Sequence, residues 1–402
     1  MFDSSRHTAL TTTRWDADAA RAAVQEIVDD AVARFDPQTY WPSHPQEDGV
    51  PDGNASPYLG AAGMLWALDF LQREGAASHW LDVAAQLPKL LESVRRQYGV
   101  IAQRSQIEPR RPSWLFGDPL VLLMLIRSGE ADAADELHAR IADNLDLPVL
   151  ELMWGFAGNM LATLFAAELT GEARWRPLFL AQAERLLGAL EDGEHGPLWT
   201  FELYGATVSY LGPVHGYAGN VIPLLRGWDW LTEAQQTRVR QAVPATLAAN
   251  AQHDAQQGAS GVGWPALVRD APVPPLVQHC HGAPGMVTAL ADAHVADPGT
   301  LALLRAGGEL TWRAGPLAKG SNLCHGTGGN GFAFLKLYEL TDEPVWRHRA
   351  QAFAMTAIDQ CRAARTEHGR GRYSLWTGDI GLACYLHEVL RGSARFPTVD
   401  VF

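Results

Sequence analysis

Lysine is almost missing from this chain. Of its 32 basic residues only Lys89, Lys319 and Lys336 are lysines, and the net charge at neutral pH is −13. A surface that tracks phosphates would be basic, so a nucleic-acid partner is not expected. Cysteine is scarce as well, and four in 402 residues cannot build a disulfide framework. The thiols are expected free, for metal or for packing, in the reducing cytoplasm. No stretch reaches the roughly 18 consecutive apolar residues that a membrane span needs. The segment from Met1 to Arg21 lacks the apolar centre of a signal peptide. Alternating β-branched runs are few and short, which counts against a sheet protein. Low-complexity tracts are absent, and a hydrophobic content of 47% is enough to bury a large core.

Glycine, by contrast, recurs in a pattern. A turn of the form Gly-x-x-Gly, or a worn version of it, stands before an apolar helix seven times, at Gly60, Gly117, Gly155, Gly216, Gly282, Gly326 and Gly378. The mean spacing of about 53 residues accommodates two helices of about 11–15 residues with short connections. The helix after each turn is apolar on most of its circumference, as in Met160 to Ala167, which predicts burial. The second helix of each unit, such as Trp175 to Leu187, keeps a charged face and is expected outside. These units predict an all-α (α/α)7 double toroid of seven inner and seven outer helices. It forms a single domain over 1–402, with residues 1–50 as a lead-in packing on the ring. The turns would then gather at one end of the barrel, where helix amino termini favour anions. At Gly60–Gly63 and Gly378–Gly381 the glycines are read only as tight turns.

Two of the turns carry sulfur and imidazole: His279-Cys280-His281-Gly282 and Leu323-Cys324-His325-Gly326. Brought face to face they would supply Cys280, Cys324 and His325, ligands that zinc prefers, with a fourth position open for chemistry. Cys361 and Cys384 lack such surroundings and are read as core residues. Asp118 and Asp379 each follow a turn glycine. Asp379 is read as a helix cap, and Asp118 as a cap or a substrate contact. Arg104, Arg110 and Arg111, ahead of Trp114, are read as a charged surface turn, with binding of an anionic group as the alternative.

The wording of these turns resembles the LanC-like proteins, the lanthionine synthetase cyclases and their eukaryotic relatives. The segments that carry it run from Ser56-Pro-Tyr-Leu-Gly60 to Ser374-Leu-Trp-Thr-Gly378, and the Cys280 and Cys324 turns are the most specific. Lys319 and the ending Ala394-Arg395-Phe396-Pro397 resemble the eukaryote-type branch. The resemblance implies a double ring of helices and zinc on Cys280, Cys324 and His325. It also implies His215 as the acid that protonates the enolate left when a thiolate adds to a dehydroamino acid. Glu151 stands where the cyclases have a catalytic aspartate, His281 is a candidate proton donor, and His279 replaces a usual tryptophan. Lys319 would steady a thiolate and hold a substrate carboxylate.

The expected activity is therefore zinc-dependent addition of a thiol, glutathione or a peptide cysteine, to dehydroalanine or dehydrobutyrine residues of a peptide or protein. Alternatives are a lanthipeptide cyclase closing intramolecular rings, a zinc- or glutathione-binding scaffold without turnover, and a helical-toroid hydrolase. The last would need paired acids in the mouth.

Overall fold

The computed structural model describes residues 2–47, 51–108, 112–254, 261–269 and 273–402; Arg110 and Arg111 lie outside the described residues. Numbered along the chain, seven helices follow the glycine turns: α2 (Ala61–Arg73), α4 (Pro119–Ser128), α6 (Phe156–Thr170), α8 (Tyr217–Arg226), α10 (Ala283–Leu290), α12 (Thr327–Thr341) and α14 (Asp379–Arg391). Each packs on the next, and α14 packs on α2, so they close into an inner ring. Around it stand α1 (Ala17–Ala33), α3 (Leu87–Arg104), α5 (Ala133–Ala142), α7 (Trp175–Gly188), α9 (Glu233–Ala249), α11 (Pro298–Ala314) and α13 (Pro344–His368). The fold is an all-α (α/α)7 toroid. Among the described residues no helix is long and apolar enough to cross a membrane.

Burial follows the sequence pattern. In α6 every residue from Phe156 to Ala166 is buried, whereas α7 buries one stripe that includes Trp175, Leu178, Phe179 and Leu186. The helix at 17–33 is less local than a lead-in to the first unit. It packs on α14 and α13, and so serves as the outer partner of the last inner helix. The seventh pair thus joins the two ends of the chain.

The repeated turn has a common hydrogen-bond plan. The N–H of the first helical residue bonds a carbonyl seven positions back: Ala61 to Asn54 at 2.8 Å, Phe156 to Val149 at 2.9 Å, Tyr217 to Tyr210 at 2.9 Å, Thr327 to Gly320 at 2.8 Å. This loop is too tight for side chains at the two glycines. A Cβ on Gly155 would lie 2.0 Å from the Val149 oxygen, and one on Gly158 would lie 2.3 Å from that of Leu152. Gly-x-x-Gly is therefore a steric requirement of the loop.

Neighbouring turns are also bonded to one another. Backbone N–H groups run Tyr58 to Leu115 (2.8 Å), Leu115 to Met153 (3.1 Å), Met153 to Val214 (3.3 Å), Cys280 to Cys324 (2.9 Å) and Cys324 to Trp376 (2.8 Å). All seven residues stand two positions before a turn glycine, so they line one rim of the barrel in register. Among the described residues three two-stranded antiparallel pairs are present, β1 (Phe201–Leu203) with β2 (Ala206–Val208), β3 (Gln252–Asp254) with β4 (Gly261–Gly263), and β5 (Val277–Gln278) with β6 (His281–Gly282). Inside the ring the segment after α14 enters the lumen and leaves a cavity lined by Leu152, Ile222, Lys336, Phe396 and Asp400. Trp114 Nε1–H donates to the Thr398 carbonyl at 3.0 Å, Lys336 pairs with Asp400 at 3.0 Å, and the Phe402 ring lies 6.3 Å from Trp66 and 5.5 Å from Phe165.

Candidate metal centre

The rim bond from Cys280 N–H to the Cys324 carbonyl brings the two Cys-His turns together. Sulfur of Cys280, sulfur of Cys324 and an imidazole nitrogen of His325 all lie within 4.8 Å of one another, with both cysteines buried. Ligand atoms around a tetrahedral zinc stand roughly 3.3–3.8 Å apart, so small side-chain adjustments suffice to hold one ion. The β5–β6 hairpin pairs Gln278 with His281 and leaves His279 and Cys280 at its tip. Gly282 closes it at φ 122°, where a side chain would be strained. On the other turn, the His325 N–H donates to Asn322 Oδ1 at 3.0 Å.

The two thiols titrate as a pair. The hydrogen bond between them holds Cys280 well below the usual thiol range, and the same bond, with burial, pushes Cys324 well above it. One proton leaves readily and the second leaves with difficulty unless a cation replaces it. Each sulfur also receives a donor that the sequence did not single out. Tyr58 O–H donates to Cys324 Sγ at 2.8 Å and Gln278 Nε2–H to Cys280 Sγ at 3.0 Å. A signal for Tyr58 was present: it stands two residues before Gly60, the place of Cys280 and Cys324 in their own turns.

One position nearer the glycine stand His215, His281 and His325. His215 Nδ1 lies 2.9 Å from Oε2 of Glu151, which is fully buried. The Glu151 oxygens also accept the backbone N–H groups of Met153, at 3.0 Å, and Trp154. Oε2 therefore meets Nδ1 as an acceptor, which places a proton on Nδ1 and leaves Nε2 as the nitrogen not held by the carboxylate. The His281 ring stacks on His215 at 5.9 Å, and its buried Nδ1 has no hydrogen-bond partner among the described residues. Burial lowers the His281 pKa. Tyr204 on the β1–β2 hairpin and Tyr210 stand 5.8 Å and 5.9 Å from the His215 ring.

Other candidates lie elsewhere. His279 turns inward, stacked 4.3 Å from Phe396, and burial pushes its pKa to about 4. Asp118 does not join the triad. Its buried carboxylate pairs with Arg95 at 2.8 Å and Arg140 at 3.2 Å. Asp379 is not the cap of α14. Gly378 holds that position, and the Asp379 carboxylate pairs with Arg365 at 2.8 Å. Cys361 and Cys384 are buried in the core. Lys319 is exposed and lines a small pocket with Asn322, Arg370 and Arg372, and its charge acts on Cys324.

His44 lines that same pocket, 4.7 Å from His368, and its Nδ1 accepts the Gln46 N–H at 3.2 Å. Burial, and then Arg372, push its pKa down to about 4. The unfolded chain takes up this proton near pH 6.5 and the folded chain only near 4, so the contribution is complete above about pH 6.5 and lost as pH falls toward 4. Denaturant titrations at pH 7 and pH 4.5 should show a smaller acid loss in His44→Asn, which keeps an acceptor for Gln46; equal losses would exclude His44 as the source.

Fold and rim together define a helical toroid whose mouth can hold a soft metal beside a histidine–carboxylate pair. The chain belongs to the lanthionine synthetase C-like protein family, whose sequence profile it matches over residues 19–401. It is 35% identical over 134 residues to the glutathione S-transferase LANCL1 of Danio rerio, and 36% identical over 136 residues to the LanC-like protein GCL1 of Arabidopsis thaliana. Each match takes in 31% of this chain, and covers 32% and 30% of the respective relative, so the chain spans about a third of these relatives' length. Nisin cyclase shares the fold, with a TM-score of 0.60 at 12% identity over 92% of this chain and 99% of that one.

Proposed function

We propose that this protein adds a thiol to dehydroalanine or dehydrobutyrine residues in a zinc-dependent reaction, forming a thioether. The observation that carries this reading is the Cys280, Cys324 and His325 cluster on the same rim as the His215–Glu151 pair. Zinc held by those three residues, with its fourth position open, would draw an incoming thiol toward its thiolate form at neutral pH. The residues of the chain supply the rest. As the new carbon–sulfur bond forms at the β-carbon, the π electron pair moves onto the α-carbon and carbonyl as an enolate. Protonated His215 then delivers the Nε2 proton to the α-carbon, while Glu151 holds Nδ1–H and keeps the ring aimed. His281, stacked beside it, restricts the ring's rotation.

Lys319 and Arg370 around one pocket favour a small anionic thiol, Arg372 there being paired with Glu47 at 2.7 Å, and glutathione carries two carboxylates. That pocket is the reason to place glutathione ahead of ring closure within one peptide. The cytoplasm, where glutathione is abundant and the four unpaired cysteines stay reduced, is the proposed compartment.

Mass spectrometry of a dehydroalanine peptide incubated with the protein, zinc and glutathione tests the reading. A glutathione adduct well above the uncatalysed rate is expected, and it should fall to background in His215→Ala. An internal thioether from a cysteine-containing peptide, without glutathione addition, would instead make the protein a cyclase. Zinc retention without either product would make it a scaffold.

A further inference from the structure

We infer that Tyr58 and Gln278 hold down the nucleophilicity of the chain's own ligand sulfurs, so that the incoming thiol is the most reactive sulfur in the mouth. This inference rests on the reading of the site as a thiol-adding metal centre.

The observations are geometric. Tyr58 comes from the turn before α2 and reaches Cys324, 266 positions away in sequence, with its O–H 2.8 Å from Sγ. Its ring is held between Phe116, at 5.7 Å, and Trp376, at 5.9 Å, and its backbone N–H is tied to Leu115. The phenol is therefore held with its O–H on that sulfur. Gln278 presents Nε2–H to Cys280 Sγ at 3.0 Å, while its Oε1 accepts from Arg6 Nη2 at 2.9 Å. The guanidinium can only donate, so it fixes which end of the amide faces the sulfur and polarises that amide toward stronger donation. Arg6 is itself secured, because its carbonyl accepts the Ala318 N–H at 2.9 Å. Two unrelated segments thus deliver one donor to each ligand sulfur.

The chemistry explains why that matters. A dehydroalanine entering the mouth meets three sulfurs, and addition of Cys280 or Cys324 would form a stable thioether to the protein, with the α-carbon taking a proton and no group leaving. Such a step would consume a metal ligand. A hydrogen bond to a thiolate withdraws charge from the lone pair that would attack. Cys280 and Cys324 each carry such a bond, and a thiol in the open position receives neither. Tyr58 and Gln278 are positioning residues here, acting through the sulfurs.

The test uses the full chain and the variants Tyr58→Phe and Gln278→Met, with cobalt(II) in place of zinc. Each variant is expected to move the sulfur-to-cobalt charge-transfer band to longer wavelength, because an unbonded thiolate gives up charge more easily. Metal retention against a chelator should weaken about 10-fold. Incubation with a dehydroalanine peptide in the absence of free thiol, followed by peptide mapping, should place a new adduct on Cys324 in Tyr58→Phe and on Cys280 in Gln278→Met. A purely structural role would lower the melting temperature while leaving the band energy and the adduct level as in the parent, and that result would overturn the inference. Failure of the parent protein itself to show a cobalt–sulfur band would instead overturn the metal reading on which it stands.

Discussion

Replacing Cys324 by serine is expected to remove the metal and with it the activity, while leaving the ring intact. The sulfur lies within 4.8 Å of Cys280 and His325 as one of three metal-ligand candidates. A serine hydroxyl does not ionise at neutral pH and is a poor ligand for a soft cation, so two ligands would remain where three or four are needed. Bound zinc should fall from about one equivalent per chain to about a tenth or less after dialysis against a chelator. Thioether formation should drop by about 10³-fold or more, toward the uncatalysed rate. The backbone of residue 324, by contrast, accepts from Cys280 and donates to Trp376, and serine keeps both bonds. Its hydroxyl can still accept from Tyr58. Circular dichroism should be unchanged and the melting temperature close to that of the parent. Full zinc content in Cys324→Ser would refute the assignment of this cluster as the metal site.

Glu151→Gln is expected to give the second large effect, by a different route. The carboxylate is fully buried, and its two oxygens receive N–H groups from Met153, Trp154 and His215. Glutamine has the same shape but only one acceptor. Whichever way its amide is turned, an NH₂ group faces at least one of those buried N–H donors. The unsatisfied donor should cost about 1–3 kcal/mol of stability. More telling is the effect on His215: with one turn of the amide its Nδ1–H faces an NH₂ donor and the ring loses its tautomer and aim, and with the other, which leaves Trp154 unpaired, it keeps only a neutral oxygen in place of the charge that steadies its imidazolium form. A fall in kcat of about 10²–10⁴-fold is expected, with zinc content unchanged. Metal analysis beside single-turnover kinetics separates this from loss of the metal. Activity retained in Glu151→Gln would mean that His215 needs no carboxylate behind it.

Much of the architecture is legible in the order of residues because the repeating loop imposes its own chemistry. A turn whose backbone folds back on a carbonyl six or seven positions earlier excludes a Cβ at two places, so glycine recurs there and can be counted. Counting gives seven, and seven inner helices close the ring. The reactive rim is partly legible for the same reason. Cys280, Cys324 and His325 are conspicuous by type and spacing, and His215 by its place in a turn. Tyr58 and Gln278 were overlooked because an isolated tyrosine or glutamine gives no signal of what it will touch. Registration against the other turns brings Tyr58 to Cys324, and the β5–β6 hairpin turns Gln278 back onto Cys280.

Asp118 and Asp379 illustrate the opposite case. An aspartate after a turn glycine looks like a cap, and Asp118 does hold the N-cap position of α4, but without a side-chain cap bond; both side chains pair with arginines of outer helices, Arg95 and Arg140 for one and Arg365 for the other. Those partners belong to other elements, and no local pattern announces them. The helix at 17–33 belongs with them, since its partner α14 lies at the far end of the chain.

The sequence by itself determined the number of helix pairs, the inner and outer character of each helix, and the residue types at the mouth, because these depend on sterics and hydrophobic period within a few residues. The tertiary structure alone decided which side chains face one another across that mouth. Ring closure and the bonds from turn to turn place Tyr58 on Cys324 and Glu151 on His215, long-range contacts that only the closed toroid creates.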